Sequence, residues 1–119
     1  MTNFETFTAA YIECLEWTAI SLDEDGDLID SADVEDLTAE QQREIHEDCQ
    51  AFFKANYFDI QTNFRLAGHD FCLTRNGHGA GFWDGNWPPV VETRLTENSR
   101  PYGSQTLAYY DEDQAVLIN

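Results

Sequence analysis

Apolar and small residues return at helical spacing near the start of the chain. Phe4, Phe7, Tyr11, Cys14, Leu15 and Thr18 share one face, with Glu5, Glu13 and Glu16 opposite. Thr2-Asn3-Phe4-Glu5 has the form of a capping box, in which a Thr hydroxyl and a Glu carboxylate satisfy free backbone N–H groups reciprocally. The pattern predicts a helix from about Asn3 to Ile20. A second box, Thr38-Ala39-Glu40-Gln41, opens a helix predicted over about Ala39 to Tyr57. Its buried stripe is Ile45, Cys49, Phe52 and Phe53. Its outer row is Glu40, Glu44, Glu47 and Asp48, whose spacing stacks them along the surface. Between the helices, residues 21–37 (SLDEDGDLIDSADVEDL) hold eight acids and no base. Gly26 and the Asp and Ser content predict a long loop there, with a short helical turn around Ala32 to Asp36.

The second half patterns differently. His69 to Arg75 alternates weakly, Asn76-Gly77-His78-Gly79 carries a turn signal, and Ala80 to Asp84 returns. Asn-Gly between two such runs predicts a β-hairpin. Pro88-Pro89 interrupts, and Val90 to Ser99 predicts a third helix, ending near Arg100-Pro101 with Gly103 beyond. Gln105 to Tyr110 and Ala115 to Ile118 flank Asp111-Glu112-Asp113-Gln114 and predict a second hairpin. The order ααββαββ implies an α+β fold, a small antiparallel sheet of hairpins packed against helices. Residues 1–119 are expected to form a single domain, with an acidic helical half to about residue 64 and a hairpin-rich half from about 65. No internal repeat is present.

Composition sharpens this picture through charge. The chain of 119 residues has 23 acids against six Lys and Arg, a formal net charge of −17. Residues 1–59 hold sixteen of those acids against only Arg43 and Lys54. Such a charge opposes compaction, yet 42 % apolar residues with eight Phe, five Tyr and three Trp supply ample core. A polyanion of this kind is not expected to bind nucleic acid directly or to approach an anionic membrane surface. No apolar run reaches the roughly 20 residues needed to cross a bilayer. The start, Met1-Thr2-Asn3-Phe4-Glu5, lacks the basic and apolar regions of a secretory signal, and the expected location is the cytoplasm. Cys14, Cys49 and Cys72 are odd in number and lack CxxC spacing, which points to free thiols.

Catalytic and metal-binding patterns are weak. With Gly26 at the sixth position of an EF-hand loop, Ser21, Asp23 and Asp25 fall at positions 1, 3 and 5, but Ala32 takes the place of the bidentate Glu. A solvated acidic loop is the simpler reading. His46, His69 and His78 are scattered, without the closely paired ligands of a zinc site. Cys14 and Cys49 fall on buried helix faces; Cys72 is expected nearer the surface, with no sign of an oxyanion hole. Gly77-His78-Gly79-Ala80-Gly81 lacks the spacing and lysine of a phosphate loop. No catalytic residue, metal or cofactor is assigned.

The block Ala67-Gly68-His69-Asp70-Phe71-Cys72-Leu73-Thr74-Arg75-Asn76-Gly77-His78-Gly79-Ala80-Gly81-Phe82-Trp83-Asp84 resembles a segment of small acidic proteins encoded by bacteriophages and other mobile elements. Tyr11-Ile12-Glu13 and Tyr110-Asp111-Glu112-Asp113 extend the similarity over most of the chain. An aromatic is more usual in that family where Cys72 stands. The resemblance carries no established activity and implies only context, a phage-like gene acting in bacterial cytoplasm. Within the block, Arg75, Asn76, His78, Trp83 and Asp84 form a candidate second surface. A purely structural role is the stronger reading, with glycines making the turn and Arg75 pairing with Asp84 across the hairpin.

The acidic half offers the sharper functional expectation. Carboxylates four residues apart on a helix rise about 6 Å, on the order of two phosphate steps of DNA. Asp23, Glu24, Asp25, Asp27, Asp30, Asp33, Glu35 and Asp36 with Glu40, Glu44, Glu47 and Asp48 compose the expected surface. The expected function is a non-enzymatic DNA mimic that binds and inhibits a basic DNA-binding protein of the bacterium, such as a restriction or CRISPR effector, a recombination nuclease or uracil-DNA glycosylase. The alternatives are an interaction module using the hairpin surface, its acidity serving only solubility, and a small enzyme or metal protein without a recognisable signature. Monomer and homodimer are both compatible with the sequence.

Overall fold

The computed structural model describes residues 1–22, 32–111 and 114–119. Helix α1 runs Asn3–Trp17 and opens on the predicted capping box. The Thr2 hydroxyl accepts the Glu5 N–H at 3.0 Å, and the Thr2 N–H donates to Glu5 Oε1 at 3.4 Å. The helix stops three residues before the predicted Ile20, because Ile20–Ser21 leave it as a short strand, β1. A 3₁₀ turn at Val34–Asp36 then leads into α2, Ala39–Ala55. The Thr38 hydroxyl caps α2 by accepting the Gln41 N–H at 3.2 Å. Helix α3 is a single turn, Tyr57–Ile60, and α5 spans Pro89–Ser99 with proline at its first position, where the missing N–H costs nothing.

The first predicted hairpin is a helix. Helix α4, Phe64–Asn76, occupies the span read as a strand. Asn76-Gly77 is its end: Gly77 takes the left-handed conformation at φ +66°, its N–H donates to Thr74 O, and the His78 N–H reaches Leu73 O at 3.3 Å. This paired closure of the last turn is what glycine after a helix provides. Cys72 is correspondingly buried at the centre of the fold.

Helix α4 packs most closely on α1, and Gly68 permits it. A Cβ at Gly68 would overlap the carbonyl oxygen of Phe7. Around this crossing the aromatic core assembles, with Phe71 stacked on Phe52 at 4.0 Å between ring centroids and Phe7 and Phe82 extending the stack. The sheet closes another side. Strand β2, Thr106–Asp111, pairs antiparallel with β3, Gln114–Ile118, as the second hairpin predicts, and parallel with β1. Leu107 lies opposite Leu117 and Tyr109 opposite Ala115, and the three larger side chains are buried against the helices. Among the described residues the fold is mixed helix and strand, with five α-helices and a three-stranded sheet of order β1-β2-β3, in place of the expected ααββαββ order with two hairpins.

Candidate functional site

The acidic entry to α2 is tied down at several points. The Val34 N–H donates to Glu16 Oε2 on α1 at 2.9 Å, and the Asp33 N–H donates to the Tyr109 hydroxyl on β2 at 2.8 Å. That hydroxyl lies 2.9 Å from Asp36 Oδ2, to which it donates. Asp33 Oδ1 accepts the Glu35 N–H at 2.8 Å, and Gln42 Nε2 donates to Leu37 O at 3.0 Å. Val34 and Leu37 are buried beneath these contacts. The backbone carrying Asp33, Glu35 and Asp36 is therefore fixed to α1, β2 and α2 together.

From there α2 presents Glu40 and Glu47 exposed and Glu44 half-buried. The ion pairs among the described residues join Asp48 to Arg75, Asp59 to Arg94 and Glu13 to Arg65. Glu35, Asp36, Glu40, Glu44 and Glu47 have no cation in ion-pair range among them. Burial pushes Glu16 above the ordinary carboxylate range against its bond to Val34, and the neighbouring charges of Asp33, Glu35 and Glu13 push the same way. Asp48 leaves the predicted row, since it turns inward to Arg75 at 3.0 Å. Asp23, Glu24, Asp25, Asp27 and Asp30, with the EF-hand spacing around them, lie outside the described residues.

The candidate second surface separates into two parts. Arg75 is buried and does not meet Asp84. Its Nε donates to Gly103 O at 2.8 Å, Nη1 to the Tyr11 hydroxyl at 3.0 Å and Gln105 Oε1 at 3.3 Å, and Nη2 to Tyr102 O at 3.0 Å. The guanidinium also lies over the Phe71 and Tyr102 rings. Asn76 Oδ1 accepts the Gln105 N–H at 2.6 Å. Arg75, buried, and Asn76, half-buried, thus fasten the end of α4 to the start of β2.

His78, Trp83 and Asp84 remain exposed, on a loop that folds back over α4. Thr74 Oγ1 accepts the Phe82 N–H and Asp84 Oδ2 accepts the Gly81 N–H, both at 3.0 Å. Between this loop, α4 and the end of α1 lies a groove of about 530 Å³. Trp17, His69, Asp70, Leu73, His78 and Asp84 are among its lining residues. Trp17 is 75 % exposed, whereas Asp70 is only 3 % exposed and accepts the Trp87 indole N–H at 2.9 Å. Burial pushes Asp70 above the ordinary range; the Trp87 bond and His69 oppose this, and Asp84 adds to it. Reading by residue pattern missed Trp17 and Asp70. The available signal was Trp17 itself, a large aromatic set off the apolar stripe of its helix.

The three thiols are buried, and Cys14 is pulled below the ordinary thiol range by its hydrogen bond with Cys72, against the effect of burial. Burial pushes Cys49 up, and a hydrogen bond with Cys14 together with burial pushes Cys72 up, so both stay protonated near neutral pH. Among the described residues no three His, Cys, Asp or Glu side chains gather to hold a metal ion, and no helix is long and apolar enough to cross a membrane. No family model, curated protein or solved structure matches the chain.

Proposed function

We propose that the chain is a DNA mimic that binds and inhibits a basic DNA-handling protein of a bacterium, in the phage-like setting suggested by the resemblance of residues 67–84. The supporting observation is the row Glu35, Asp36, Glu40, Glu44 and Glu47, without a cation in ion-pair range among the described residues and carried on α2 and on the turn before it, which is fastened to α1, β2 and α2. Mobile carboxylates would lose conformational entropy on entering a DNA groove, and carboxylates already paired would have to give up a partner. The anchored backbone lowers the first cost, and the four glutamates have no ion-pair partner to give up among the described residues; Asp36 alone holds a hydrogen bond, from the Tyr109 hydroxyl. Its charge steers a basic partner at low salt and loses that advantage as counterions screen it.

The test uses a variant in which Glu35, Glu40, Glu44 and Glu47 are all Gln. Asp48 is left intact because it serves Arg75. Wild-type protein immobilised at low salt is expected to capture DNA-binding enzymes from bacterial lysate and release them as salt is raised. The Gln variant, folded to the same extent by circular dichroism, is expected to capture far less. Equal capture by both would remove the acidic row from the interface.

A further inference from the structure

We propose that the groove between α1, α4 and the loop after Gly77 receives an arginine side chain presented by a protein partner. The proposal rests on the basic partner inferred above only for the identity of the occupant; the groove makes its own case. Asp70 is 3 % exposed and has one hydrogen-bond donor, Trp87 Nε1, and no cation in ion-pair range among the described residues. Carboxylates held this far from water are ordinarily matched by an opposite charge. The chain spends Arg65, Arg75 and Arg94 on other acids. The groove's basic lining consists of imidazoles, His69 and His78, while Asp84 contributes a second carboxylate.

Trp17 completes the recognition chemistry. Its indole is 75 % exposed at the groove wall, against His69 at 6.3 Å between centroids. An exposed indole beside two carboxylates is a cation receptor: the ring face attracts a positive charge, and tryptophan does so best among the aromatic side chains. Arginine suits this better than lysine. Its planar guanidinium can lie on the ring while its N–H fork points toward a carboxylate, whereas an ammonium is a strongly hydrated point charge. The groove's volume of about 530 Å³ accommodates one long side chain with the backbone that presents it. The net charge of −17 favours arrival of a basic protein.

The experiment titrates the intact protein with the peptide acetyl-Gly-Arg-Gly-amide and with the same peptide carrying citrulline, which keeps the shape and loses the charge. Amide and indole N–H resonances are followed by NMR. The arginine peptide is expected to shift the Trp17 and Trp87 indole signals saturably, and the citrulline peptide to leave them in place. W17A, a change at an exposed position, is expected to weaken binding about five-fold, and D70N, which keeps an acceptor for Trp87, by about ten-fold or more. Equal shifts from the citrulline peptide, undiminished binding by W17A, or shifts confined to α2 with Trp17 unmoved would each overturn the proposal. The quadruple Gln variant of the 3₁₀ turn and α2 is expected to retain the groove shifts. Loss of lysate capture by that variant and loss of peptide binding by W17A therefore report on the two readings separately.

Discussion

Replacing Arg75 by methionine measures how much of this fold hangs on one buried guanidinium. Methionine fills similar volume without charge or N–H groups. The change leaves Gly103 O, Tyr102 O and the Tyr11 hydroxyl oxygen without their guanidinium donors and Asp48 without its cation, while Gln105 Oε1 keeps only the Tyr11 O–H. Breaking a buried ion pair from one side costs about 3–5 kcal/mol, because the surviving charge and acceptors stay desolvated. The Asp48 side chain keeps 34 % of its exposure and can hydrate, which sets the expected loss near the lower bound, about 3 kcal/mol. Urea unfolding followed by circular dichroism reads this directly as a shift in midpoint with little change in slope. D48N leaves the buried Arg75 without its counter-charge, but the Asn Oδ1 and four other acceptors still meet its N–H groups, so the expected cost is smaller, about 2 kcal/mol. A loss below about 1 kcal/mol for R75M would refute the reasoning.

Three further outcomes follow from the geometry. G68A forces a methyl group against the Phe7 carbonyl at the α1–α4 crossing and is expected to destabilise by about 3 kcal/mol or more, measured by the same unfolding curves. Y109F removes the hydroxyl that holds Asp33 and Asp36; a loss of about 1–2 kcal/mol is expected, with faster hydrogen exchange at the Asp33 and Val34 amides but not in the α4 core. Stability should rise as pH falls from neutrality toward the ordinary carboxylate range. Glu16 and Asp70 have folded pKa values above their unfolded ones, so the folded state binds more protons in that window, and relief of the −17 charge acts the same way. Asp59 acts oppositely. Its bond to Arg94 lowers its folded pKa, so its contribution is present above the ordinary carboxylate range and lost as pH falls through the folded value. A melting temperature that falls steadily between pH 7 and pH 5 would contradict this.

The elements that could be read from sequence were those whose signals are local. Thr2 and Thr38 mark the starts of α1 and α2, Pro89 opens α5, and the last hairpin carries its own alternation. Helix α4 resisted because it is buried on most of its circumference. Asp70 and Arg75 sit among Phe71, Cys72 and Leu73 inside the fold, so polar residues no longer mark the outside and no clean stripe survives. Asn76-Gly77 then reads as a hairpin turn, although the left-handed glycine that suits a hairpin suits a helix end equally well. Strand β1 is two residues long and exists only through its pairing with β2. Of the sites, the α2 carboxylates were visible by spacing. The inward turn of Asp48 was not, because it depends on where α4 delivers Arg75. The groove was invisible for the same reason, since Trp17, Asp70 and Asp84 meet only after α1, α4 and the following loop have packed.

Competition with DNA tests the central proposal most directly. An enzyme captured on the immobilised wild-type chain at low salt is challenged with duplex DNA carrying its recognition features. If the carboxylate row of the 3₁₀ turn and α2 occupies the enzyme's DNA groove, the duplex displaces the enzyme in a concentration-dependent manner, and free protein in turn inhibits DNA binding. A stable ternary complex of chain, enzyme and DNA would contradict the proposal, because the acidic row and the duplex would then be occupying different surfaces.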